Sequence, residues 1–99
     1  MASLTDSVMQ VSSVGTKITT SGTPQKTAAI NSPLGQQFVT VRLRTTSACY
    51  IEFGADPTAT SSSATLDANA PEYFKMNTGD KIGVLQVSAA GTFEYAIMV

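Results

Sequence analysis

The side chains able to do chemistry in this chain are few and scattered. It has no histidine, a single cysteine, and seven carboxylates against six lysines and arginines. A nucleophilic thiol needs a neighbouring base or a cation that lowers its pKa, and the chain has no imidazole to supply one. Cys49 also alternates with Ile51 and Phe53, which places it on an apolar strand face as a packed core thiol. Asp56, Asp67 and Asp80 fall in separate turns, whereas a hard cation needs a dense acidic loop; they are expected to be turn formers. Neither catalytic, cofactor-binding nor metal-binding residues are expected.

The remaining polar groups suit contact better than catalysis. Arg42 and Arg44 share one face of an alternating run. They could grip a carboxylate on a partner through their planar forks, or simply keep an exposed face wet. Glu52, on the polar face with Tyr50, is placed to pair with one of these arginines across strands. Tyr50, Tyr73 and Tyr95 could form a stacking platform for a sugar, although Tyr95 alternates with Phe93 and Ile97 as a core residue would. Charged residues make up 13% of the chain and apolar ones 42%, where an average domain is about 25% charged. Ser and Thr fill the deficit, and an uncharged polar skin is cheap to desolvate against another protein.

A net charge of −1 supplies no positive field to gather phosphates, so a nucleic-acid partner is not expected. Residues 1–10 carry no Lys or Arg and no continuous apolar stretch, and no run approaches the roughly 18 apolar residues of a spanning helix. No membrane partner is expected. The lone cysteine forms no intrachain disulfide, which fits a reducing compartment.

The elements that must position these groups are strands. Val39, Val41 and Leu43 interleave with Thr40, Arg42 and Arg44, the alternation of a half-buried strand. Residues 38–44 and 48–53 read as neighbouring strands joined by Thr45-Thr46-Ser47. Gly54-Ala55-Asp56-Pro57 closes the second, and residues 58–64 read as an exposed excursion of small residues. Glu72, Phe74 and Met76 share a face opposite Tyr73 and Lys75. Asn77-Thr78-Gly79-Asp80 has the composition of a hairpin turn, so residues 81–88 are expected to return antiparallel beside 73–76. After Ala89-Ala90-Gly91, residues 92–99 form a final strand with Phe93, Tyr95, Ile97 and Val99 on one face.

Composition changes near Ser32-Pro33. Residues 1–32 are expected to be an N-terminal arm or edge strands, with weak strand candidates at 8–14, 17–20 and 27–30, and residues 33–99 a β-sandwich core. The fold class is all-β, a small β-sandwich or jelly-roll-like barrel of about seven to nine short antiparallel strands. With few lysines to blunt its edges and a chain that buries only about two-thirds of its unfolded surface, self-association as a trimer or dimer is the economical way to cover them. A monomer whose N-terminal segment covers its own edge is the other solution. The interface residues expected are Val8, Val11, Val14 and Ile18 from the N-terminal segment, with Arg42, Arg44, Tyr50 and Tyr73 from the strands.

One further signal lies in the order of the pieces. Val39-Thr40-Val41-Arg42-Leu43-Arg44 is followed by Cys49-Tyr50-Ile51-Glu52-Phe53-Gly54 with Asp56-Pro57-Thr58-Ala59. Then come Pro71-Glu72-Tyr73-Phe74-Lys75, Gly79-Asp80-Lys81-Ile82-Gly83-Val84 and a terminal strand opening at Ala90-Gly91-Thr92. Over residues 38–99 this order resembles small capsid decoration, or cement, proteins of tailed bacteriophages. The resemblance implies a homotrimer bound to the major capsid protein on the virion exterior, between capsomers, after synthesis in the host cytoplasm. It implies no enzymatic activity. The alternative is a phage tail or fibre module that binds a host glycan or receptor. On the cement reading, removing residues 1–31 should abolish attachment while leaving the β domain folded.

Overall fold

The computed structural model describes residues 15–98. It is an all-β sandwich of two four-stranded sheets in which every pairing is antiparallel. The strands are β1 (Thr16–Thr19), β2 (Gln25–Lys26), β3 (Phe38–Thr45), β4 (Cys49–Gly54), β5 (Ala64–Leu66), β6 (Glu72–Asn77), β7 (Lys81–Gln86) and β8 (Thr92–Met98). One sheet has the order β1-β8-β3-β6 and the other β2-β7-β4-β5. We call them the front and back sheets.

Alternation decides which side chains build the core. Val39, Val41 and Leu43 of β3 and Phe93 of β8 point inward from the front sheet; Cys49, Ile51, Leu66, Ile82 and Val84 meet them from the back. Phe53 and Phe74 close one flank across the layers, their ring centroids 5.4 Å apart, a separation at which tilted aromatic pairs attract. Cys49 is fully buried here, as its alternation with Ile51 requires.

The path of the chain differs from the expected succession of hairpins. Residues 38–44 and 48–53 are consecutive but unpaired, since β3 lies in the front sheet and β4 in the back. The connection is held on both sides: the Thr46 amide donates to the Thr92 carbonyl at the front, and the Val87 amide to the Ala48 carbonyl at the back. The Asn77-Asp80 turn likewise carries the chain from one sheet to the other, so β7 does not lie beside β6. Gly79 adopts φ of 88° as such a turn demands. The turn is held by residues distant in sequence, with the Gly79 amide donating to the Ile30 carbonyl and the Thr78 amide to the Gln37 carbonyl. Among the described strands, only the β4–β5 connection stays within one sheet.

Residues 15–32 belong to both layers. β1 pairs with β8 at the front edge and β2 with β7 at the back edge. Residues 27–30 are not a strand, yet Thr27 is buried and Ile30, 1% exposed, is part of the core. Buried threonines fasten this segment. Thr20 Oγ1 accepts from the Gly91 amide at 2.9 Å, and Thr27 Oγ1 accepts from the Ile82 amide at 3.0 Å. Much of the Thr content at these positions therefore supplies internal hydrogen bonds. The strand candidate at 8–14 lies outside the described residues.

Candidate functional site

The two outer faces of the sandwich are finished differently. On the back, residues 55–63 touch down on the sheet at Pro57 and Ala59, while Thr58 and residues 60–62 are exposed, as expected of an excursion of small residues. Pro57 is buried and Ala59 fully so. A Cβ at Gly83 would stand 3.1 Å from the Pro57 carbonyl oxygen, so the missing side chain is what lets the loop lie on β7. The loop is tied at one end by the Lys26–Asp56 ion pair and at the other by Ser63 Oγ, which donates to Glu52 Oε1 at 2.7 Å. Lys26 holds the Asp56 carboxyl below its ordinary pKa, by hydrogen bonding and by its charge. Glu52 is thus engaged with Ser63 in the back layer, and does not pair with the arginines, which lie in the front sheet.

Among the described residues no such loop lies over the front outer face. Its cross-strand rows follow from the register. Lys17, Glu94 and Arg44 lie side by side on β1, β8 and β3; Ala96, Arg42 and Tyr73 on β8, β3 and β6; and Met98, Thr40 and Lys75 on the same three strands. Phe38 finishes the face opposite Asn77. Lys75 Nζ sits 4.4 Å from the centre of the Phe38 ring, within the range of a cation–π contact. Tyr73 is 59% exposed, and Phe38 is also exposed. Ala96 is 4% exposed although it points outward, with Arg42 beside it in its row. Around Phe38 and Met98 the face opens into a cavity of about 160 Å³, also lined by Leu34 and Gln36. Leu34, at 67% exposure, is the most exposed large apolar side chain described.

The interface residues named from the sequence separate into groups. Arg42, Arg44 and Tyr73 meet on the front face, Arg42 and Tyr73 as direct cross-strand partners. Tyr50 lies on the back sheet, and Ile18 is half-buried against the core. Val8, Val11 and Val14 lie outside the described residues. The three tyrosines form no platform, because Tyr50 and Tyr73 occupy opposite faces and Tyr95 packs on the core. Sequence reasoning missed Lys17, Lys75, Phe38, Met98 and the Leu34 cavity as companions of the arginines. The alternation of each strand carries the signal, but only the pairing of β8 and β6 on either side of β3 brings them together.

Among the described residues no cluster of three His, Cys, Asp or Glu side chains is grouped to hold a metal ion, and no buried side-chain polar atom lacks a hydrogen-bond partner. Burial pushes the Cys49 thiol pKa up, an effect partly offset by a hydrogen bond with Thr45, so the thiol stays protonated at neutral pH. The front face brings together forked cations, aromatic rings and a cavity lined by both polar and apolar side chains on one sheet. Comparisons with protein-family models, curated proteins and solved structures return no match.

Proposed function

We propose that this protein is a structural component of a phage particle. It binds the outer surface of the capsid as a homotrimer and bridges neighbouring capsomers, a cement or decoration protein synthesised in the host cytoplasm. The observation that carries this reading is the difference between the two faces. The back sheet carries a loop packed on Gly83, while among the described residues no loop lies over the front sheet, where Arg44, Tyr73 and Phe38 are exposed beside the half-buried Arg42 and a cavity of mixed polar and apolar lining. Interfaces are enriched in that combination of Arg, Tyr, Phe and Met. The order of motifs over residues 38–99 that resembles decoration proteins supports the same reading.

The mechanism is thermodynamic linkage. A protein that binds the assembled shell, and not its dissociated subunits, stabilises the shell by an amount that grows with occupancy and affinity. Many copies at symmetry-related positions add small increments that oppose the pressure of packaged DNA, with no covalent step.

Co-purification with virions tests this. Copy numbers comparable with those of the shell protein, and heads that lose stability when the protein is absent, are the expected result. A few copies per particle would assign it to the tail, and absence from particles would end the proposal. A truncation test should stop at Val14. Deletion through Asn31 would remove β1, β2, the Thr20 and Thr27 hydrogen bonds and the Ile30 side chain from the core, so loss of attachment would then report loss of the fold.

A further inference from the structure

The charge of the molecule is distributed unevenly. The chain carries a net charge of −1, yet Lys17, Arg42, Arg44 and Lys75 lie on the front outer face, where Glu94 is the carboxylate the register places among them. Glu94 is occupied by Lys17, 3.9 Å away. Among the described residues, neither Arg42 nor Arg44 has a carboxylate within 4.0 Å. On the same β3 strand, the face passes from these guanidinium groups to Phe38 and the cavity of about 160 Å³ beside Leu34 and Met98. The cavity opens to the surface, and Ser32, Gln36 and Thr40 line it together with the apolar side chains.

From this arrangement we infer that the front face receives an acidic protein surface, on which Asp or Glu side chains meet Arg42 and Arg44 and an adjacent apolar side chain enters the Leu34–Phe38–Met98 cavity. The inference rests on the proposed function and names the chemistry of the partner it requires. The two oxygens of one carboxylate accept two parallel hydrogen bonds from a planar guanidinium fork. The neighbouring apolar surface supplies the burial that exposed charge pairs alone do not. A second copy of the chain presenting its back face is a poor complement, because Glu52 and Asp56 there are already engaged by Ser63 and Lys26. Nucleic acid is disfavoured by the net negative charge of the whole chain, which gives a phosphate backbone no long-range attraction.

The test titrates the full chain, labelled with ¹⁵N, with poly-L-glutamate containing interspersed leucines, and in parallel with a single-stranded DNA oligonucleotide of equal charge. The expected result is peptide-induced shifts confined to β3, β6, β8 and the Leu34 segment, around Arg42, Tyr73, Phe38 and Leu34, weakening as salt is raised. R42E/R44E should reduce affinity about a hundredfold, because like charges then face each other. R42Q/R44Q should reduce it less, and Tyr50→Ser on the back sheet should leave it unchanged. Shifts on the back sheet, unchanged binding by natively melting R42E/R44E, or preference for the DNA would each overturn the inference. Binding to purified phage heads separates the two claims. If the peptide binds as expected and the heads do not, the capsid reading fails and the acidic-partner surface stands. If heads bind the wild type and R42E/R44E equally while the peptide is ignored, the surface is wrong and the capsid reading survives.

Discussion

Cys49 and Gly91 show how far a residue's neighbours set its behaviour. Cys49 is fully buried between the layers and its thiol pKa is raised. Native protein should therefore react with an aromatic disulfide reagent only as fast as it opens, and at once in denaturant; rapid stoichiometric labelling of the folded chain would contradict the packing. The folded thiol keeps its proton to higher pH than the unfolded one. Stability should accordingly be unaffected by this group at neutral pH and fall as pH rises past the ordinary thiol range near 8.5, which denaturant melts across that window would measure. Gly91 is required for space. A Cβ there would lie 2.8 Å from the Ser47 backbone nitrogen, so Gly91→Ala should cost about 1–3 kcal/mol in overpacking, read as a lowered denaturation midpoint with an unchanged slope.

Among the elements, the short segments beside the sheets do more than their length suggests. β2 contributes only Gln25 and Lys26, yet the residue after it, Thr27, accepts from the buried Ile82 amide. Thr27→Val keeps the shape and removes the acceptor, leaving that amide unpaired; the expected cost is about 1–3 kcal/mol, with hydrogen exchange of the Ile82 amide accelerated well before global unfolding. The positions of β3, β4, β6, β7 and β8 were legible because inward apolar residues alternate with outward polar ones. β1 was legible only as the weak candidate at residues 17–20, and β2, β5 and the contact of residues 55–63 with β7 were not. Thr, Gln and Ser carry no periodic apolar signal, and a loop of small residues looks the same whether it projects into solvent or lies on a glycine of another strand.

The whole molecule alternates between its layers at nearly every connection, so most of its structure forms only when segments distant in sequence meet. Loop closure must precede the burial that rewards it, and folding should be slow for a domain this small, in milliseconds to seconds by stopped-flow rather than microseconds; microsecond relaxation would argue against the topology. The same alternation marks the boundary of sequence reading. Local pattern alone determined that the chain is all-β, where most strands run, that Cys49, Ile51 and Leu43 point inward, and that Arg42 and Arg44 share an outward face, because a period of two is a property of the extended backbone itself. Tertiary structure decided which strands pair. A turn such as Asn77-Thr78-Gly79-Asp80 satisfies its own dihedral angles equally well inside one sheet or between two. What selects between these is the long-range partner on each strand edge, here Ile30 and Gln37 for the turn and β3 for β6. That selection gathers Lys17, Tyr73, Lys75 and Met98 around the arginines on one outer face.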